Sequence, residues 1–121
     1  ENKKLSFAAA HNAPILMRKN TVMEFEADKM PIGKGDRVDD FKQHMIDVEE
    51  GDIIYLYTDG YTDQFGGGKG KKFKYRQMKA LLQSICNQPL IEQKKILDDI
   101  ICNWKGDLEQ TDDILIVGFK L

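Results

Sequence analysis

Three aspartates, Asp59, Asp112 and Asp113, stand at the ends of the two most apolar runs in the chain. Asp59 closes Ile53-Ile54-Tyr55-Leu56-Tyr57-Thr58 and is followed by Gly60; Asp112 and Asp113 open Ile114-Leu115-Ile116-Val117-Gly118-Phe119. A carboxylate at the end of a buried strand, next to a residue free to take unusual backbone angles, is a rigid mount for a metal ligand. By itself Asp59-Gly60 reads sooner as a plain turn, the common role of that dipeptide. The second acidic pair changes the balance. If the two runs are antiparallel neighbours, the end of the first lies beside the start of the second, and the carboxylates converge on one rim. Mg²⁺ and Mn²⁺ favour such oxygen ligands and keep several waters, and a water made acidic by the metal can attack a phosphate.

Other chemistry-bearing residues are weaker signals. Gly66-Gly67-Gly68-Lys69-Gly70-Lys71-Lys72 lacks the pattern of a phosphate-binding P-loop, since Lys72 stands where Ser or Thr is needed and Phe65 where the earlier glycine belongs. It reads instead as a mobile, solvated lid, with Lys71, Lys72, Lys74 and Arg76 able to steer an anionic phosphoprotein toward the adjacent rim. His11 sits in a turn and His44 on a polar strand face, with no partner histidine or cysteine near either. Asp52 and Asp63 read as turn and helix-start residues, Asp63 close enough to the rim for a supporting contact. Cys86 and Cys102 fall in helix-period apolar patterns without Cys-x-x-Cys spacing, as buried, reduced thiols of a cytosolic protein do.

The elements that must position these residues change period midway. Leu5 to Ala10 and Ile15 to Arg18 read as two short strands joined through the Pro14 turn, and Lys19-Asn20 as a second turn leading to a half-buried strand at Thr21 to Glu26. Asp28 to Asp40, with Pro31, Gly33 and Gly35, is a loop. Phe41 to Val48 alternates, His44, Ile46 and Val48 opposing Met45 and Asp47, and its partner is the opening strand. The Ile53 run is apolar at successive positions, the mark of a strand covered on both faces. From Phe73 onward Met78, Leu81, Leu82 and Ile85 recur at helical spacing up to Asn87-Gln88-Pro89. A second helix carries Ile91, Leu97, Ile100, Ile101 and Trp104 on one stripe, with Gly106 as its C-terminal cap. The 121 residues, 31% charged and 41% hydrophobic, suit one soluble globular domain or part of one. A net charge of −2 gives no bulk electrostatic case for nucleic acid, and no apolar run approaches the roughly 20 residues needed to cross a membrane.

Taken in order, Tyr57-Thr58-Asp59-Gly60, Asp63-Gln64-Phe65-Gly66-Gly67, two helices and Asp112-Asp113-Ile114-Leu115 resemble the C-terminal part of a SpoIIE-like phosphatase domain. That is the bacterial branch of the PPM-type, metal-dependent serine/threonine protein phosphatases. Upstream, Ala9-Ala10-His11-Asn12-Ala13-Pro14 is similar to the family's Ala-Gly-His-Asn-Pro-Pro, Pro31-Ile32-Gly33 to its Pro-Leu-Gly, and Gly51-Asp52 to its Gly-Asp before the key strand. Ala10 and Ala13 depart from the family's Gly and Pro.

The resemblance implies an α+β fold, an antiparallel β-sandwich flanked by helices, with a binuclear Mn²⁺/Mg²⁺ site between the sheets. It implies Asp59 and Asp112 as metal ligands, with Asp113 the neighbouring position. It also implies hydrolysis of phosphoserine or phosphothreonine on a regulatory protein of the anti-sigma-factor antagonist type, in the cytoplasm. The family's first metal-binding motif, Asp-x-x-Gly-His-Gly, has no counterpart in residues 1–121. The expectation is therefore a C-terminal portion of a single phosphatase domain, incomplete at its N-terminus, active only within a larger protein. The competing expectation is a non-catalytic module that binds a phosphoprotein. Apolar faces left open by an incomplete sandwich carry a further expectation, self-association.

Overall fold

The computed structural model describes residues 3–29 and 40–121. Along them run β1 (Lys3–Phe7), β2 (Ile15–Arg18), β3 (Thr21–Glu24), β4 (His44–Val48), β5 (Ile53–Tyr57), α1 (Asp59–Asp63), β6 (Phe65–Gly66), β7 (Lys71–Lys72), α2 (Tyr75–Ile85), α3 (Leu90–Lys105) and β8 (Ile116–Lys120). The Pro31-Ile32-Gly33 segment and most of the Asp28 to Asp40 loop lie outside the described residues.

The main sheet is antiparallel in the order β3-β2-β5-β8, and β1 pairs with β4 as a second layer. β2 turns into β3 through Lys19 and Asn20, both left-handed at φ 48 and 66, the paired conformation that suits a tight hairpin. One face of the sheet presents Ile15, Met17, Ile53 and Tyr55 to Met78 and Leu82 of α2, Ile101 of α3, Tyr61 and Phe73. The other presents Leu16 and Ile54 to Val48, Ile46 and Leu5 of the second layer. Complete burial of each such aliphatic side chain favours the fold by about 1.5–3 kcal/mol, so the sheet is held from both sides. The expected α+β sandwich with flanking helices is the observed architecture.

Several local expectations are corrected. The opening strand stops at Phe7, and the Ala9–Pro14 segment does not join β1 to β2 as a hairpin: Ala10 instead bridges Asp28 in parallel. β4 begins at His44, not Phe41, and His44 lies on the inward side, half-buried and stacked on Phe7 at 4.9 Å. Coverage on both faces holds only for the first half of β5. The second layer reaches Leu16, Met23 and Ile54 but not Leu56, Val117 or Phe119, which are 45%, 41% and 37% exposed. β8 starts at Ile116 and forms an edge of the sheet. In α3 the inward positions are Gln93, Leu97, Ile101 and Trp104, while Ile91 is 68% exposed. Cys86 is buried as expected, but Cys102 is exposed. The helix ends behave as read: Pro89 precedes α3, and Gly106, at φ 54, sends its N–H back to the Cys102 carbonyl at 3.0 Å. Among the described residues no helix is long and apolar enough to cross a membrane.

Asp52 closes the turn as read, its N–H donating to the Glu49 carbonyl at 3.1 Å, and it is buried there, 1% exposed. Its carboxylate takes two hydrogen bonds from the Arg18 guanidinium and one from the Glu49 N–H at 2.8 Å, and its carbonyl accepts the Leu121 N–H at 2.9 Å. This one residue ties β2, the β4–β5 turn and the chain's last residue together.

Candidate metal-binding rim

β5 and β8 run antiparallel with Tyr57 opposite Ile116, so the acidic ends of the two runs do meet. Past the ladder, Thr58 continues the contact. Its N–H donates to the Leu115 carbonyl at 3.0 Å, its hydroxyl donates to the Asp113 carbonyl at 3.0 Å, and the same oxygen accepts the Leu115 N–H at 3.1 Å. Gly60 then passes so close that a Cβ there would overlap the carbonyl of Asp113 and lie 3.1 Å from the Ile114 Cα. The Asp-Gly dipeptide needs glycine here because of backbone packed on backbone, with no unusual φ involved.

Asp59 opens the short helix α1, where a negative charge is favourable, and among the described residues its carboxylate has no hydrogen-bond partner. It lines a cleft of about 510 Å³ with His11, Asn12, Glu24, Tyr57, Thr62 and Tyr75. Asp112 turns its Oδ1 to the Asp113 N–H at 2.8 Å, and both residues are exposed at the rim outside that cleft. Asp63 ends α1 rather than starting a helix, and is engaged by Lys72 at 3.5 Å. Across the cleft, Lys79 and the Tyr75 hydroxyl both donate to Glu24, at 3.0 and 2.8 Å, holding that carboxyl below the usual range. Burial, and then the charge of Asp59, push the Tyr57 hydroxyl up.

The donor set is all hard oxygen and suits Mg²⁺ or Mn²⁺. Among the described residues, though, no three His, Cys, Asp or Glu side chains gather closely enough to hold an ion. The structure brings Asp59 and the Asp112-Asp113 segment to one rim without closing a site around them.

The glycine-lysine segment is not a free lid. It is the β6–β7 hairpin, with Phe65 opposite Lys72, pinned to α3 by Trp104. The indole N–H donates to the Gln64 carbonyl at 3.0 Å, and the Gly67 N–H donates to the Trp104 carbonyl at 2.8 Å. A Cβ on Gly66 would collide with the Trp104 backbone.

His11 reads from the sequence as a turn residue without a ligand role, and neither Glu24 nor Gln64 is marked there as part of a site. His11 holds a left-handed φ of 61, its N–H bonded to the Asp28 carbonyl at 2.8 Å, and a histidine before asparagine in a turn was the available sign. Glu24 carries no signal, because its partners lie more than fifty positions away. Gln64 is 1% exposed, its amide donating to the Phe65 and Glu109 carbonyls, with Oε1 unpartnered.

Residues 1–121 match the family described as Stage II sporulation protein E (SpoIIE), and the chain belongs to that family. Among solved structures it is similar to the SiaA-PP2C domain of Pseudomonas aeruginosa, at 30% identity and a TM-score of 0.89 over 98% of this chain and 46% of that one. It shares its fold with the phosphatase domain of the cell fate determinant SpoIIE from Bacillus subtilis, at 18% identity and a TM-score of 0.65 over 100% of this chain and 56% of that one. This chain thus spans about half the length of these relatives. Comparison with curated protein sequences finds no match.

Proposed function

We propose that this chain supplies the Asp59 and Asp112 half of a metal-dependent phosphatase acting on phosphoserine or phosphothreonine. The substrate in this reading is a regulatory phosphoprotein of the anti-sigma-factor antagonist type. The observation that carries it is the close pass of Gly60 over Asp113, which sets the two acidic segments on a common rim. Family membership and the likeness to PP2C and SpoIIE phosphatase domains support it. Asp59 and Asp112 would hold Mn²⁺ or Mg²⁺, with Asp113 adjacent; what such an ion supplies when bound is Lewis-acid activation of water for attack on phosphorus. Thr58 keeps the two carboxylate-bearing segments in register, and the cleft beside Asp59 receives the phosphorylated side chain. Turnover belongs to a larger protein containing these residues, in keeping with relatives of about twice the length.

The test compares release of phosphate from a phosphoserine protein by this chain and by a protein of the relatives' full length, each with Mn²⁺. The longer protein turns over, the chain alone does not, and Asp59→Asn or Asp112→Asn in the longer protein abolishes turnover. Turnover unaffected by either substitution would overturn the assignment. Tight phosphoprotein binding without turnover in the longer protein would instead identify a non-catalytic module.

A further inference from the structure

Charge is distributed unevenly along this chain. Between Gln64 and Ile91 there are six basic residues and no acidic one, so with a net charge of −2 overall the remainder carries a surplus of eight negative charges. The basic stretch is the β6–β7 hairpin and α2. Two of its cations serve the fold, Lys72 beside Asp63 and Lys79 beside Glu24. The other four, Lys69, Lys71, Lys74 and Arg76, are exposed and have no ion-pair partner among the described residues. Four such cations within positions 69–76 repel one another, and no ion pair among the described residues engages them.

They also stand on a fixed platform. Trp104 clamps Gln64 and Gly67, Phe73 returns its N–H to the Gln64 carbonyl at 2.9 Å, and Lys74, at φ 75, gives its N–H to the Thr62 carbonyl at 2.7 Å. Both ends of the hairpin are thereby tied to α1, along which Asp63 lies about 6 Å from Asp59. A ligand seated on the hairpin is held within reach of the Asp59 cleft.

We propose that this face, Lys69, Lys71, Lys74 and Arg76, is a docking surface for a short acidic segment of a partner protein. Under the function proposed above, on which the partner's identity as substrate rests, that segment belongs to the phosphoprotein itself. An extended polyanion, such as a nucleic acid or an anionic membrane, meets the acidic remainder of the chain as well as the platform. A short acidic peptide meets the platform alone, and complementary charge there speeds encounter and sets orientation.

Fluorescence anisotropy with a short labelled peptide alternating Glu and Gly tests the surface directly, with no metal and no turnover involved. Its failure is therefore distinguishable from failure of the phosphatase reading. The native chain binds, and binding weakens about tenfold between low and physiological salt, as a screened surface contact does. K69E/K71E/K74E/R76E removes binding, K69Q/K71Q in the hairpin alone weakens it several-fold, and K94E/K95E on α3 leaves it within about twofold. Circular dichroism confirms that each variant is folded, and the double hairpin variant decides the matter if the quadruple one is not. Absence of peptide binding, equal loss in K94E/K95E, or tighter binding to a DNA duplex or to phosphatidylserine vesicles than to the peptide would each overturn the proposal.

Discussion

Arg18 and Asp52 grip one another through two parallel hydrogen bonds, Nε to Oδ1 at 3.0 Å and Nη2 to Oδ2 at 2.7 Å, at the end of the main sheet. The guanidinium, aided by the Glu49 N–H, holds the Asp52 carboxyl below its ordinary value. A carboxyl with a lower value folded than unfolded adds stability above its unfolded value, near pH 4, and loses that contribution as the pH falls through the folded value. Asp52→Asn therefore lowers stability at neutral pH by about 2 kcal/mol, since hydrogen bonds to a charged group are lost. Urea midpoints between pH 7 and pH 3 check this: the native curve falls toward the variant's on the acid side, and parallel curves would refute it.

Gly60→Ala forces the Asp59 helix away from Asp113, because the added methyl has no room against the Asp113 carbonyl. Overpacking of this kind costs about 1–3 kcal/mol. The substitution lowers the denaturation midpoint and also weakens Mn²⁺ binding, read by electron paramagnetic resonance of the free ion, in any protein where native Mn²⁺ binding is measurable. Gly68→Ala, in open space on the hairpin, changes neither.

The contrast between these residues shows what a sequence carries. The rim was legible because strand periodicity and strand ends are local: a run of apolar residues ending in Asp59, another beginning after Asp113, and one pairing assumption. The pairing of β1 with β4 was legible for the same reason, from alternation at Ile46 and Val48. Asp52 was not, because its burial depends on Arg18, thirty-four positions away. In α3 helical spacing of the apolar residues put Ile91 on the inward stripe, yet Gln93 takes the inward place because the Tyr55 hydroxyl and two carbonyls satisfy it. The exposure of Leu56 and Val117 reflects how far the second layer extends, a property of the assembled sheets and not of β5 or β8.

That buried amide makes a coupled prediction. Gln93 accepts the Tyr55 hydroxyl at 2.6 Å and donates to the Gln88 carbonyl at 2.8 Å. Gln93→Leu strands the hydroxyl and costs about 1–3 kcal/mol. Adding Tyr55→Phe removes the stranded group, so the double variant is less destabilised than the sum of the two single changes. Strict additivity in chemical denaturation would show that the pair is not coupled.

All four tyrosines of the chain are held in the neutral form beyond their usual range. Burial pushes Tyr55 up to about 12, and raises Tyr57, Tyr61 and Tyr75 as well, the last also through its hydrogen bond to Glu24. A raised folded value means stability is complete below the unfolded value, near pH 10, and is lost as the pH climbs toward the folded one. Phenolate absorbance should therefore stay flat through pH 10 and then rise together with loss of circular dichroism. An early, gradual rise with the fold intact would contradict it.

Trp104 is the only tryptophan in the chain, and its ring is pressed between Gly67, Phe73 and the hairpin backbone. Its emission is accordingly a local optical gauge. It registers whether the β6–β7 hairpin is seated on α3 and is nearly blind to events at the far end of the sheet. Light emitted by one side chain can thus follow the basic platform separately from the sandwich that carries it.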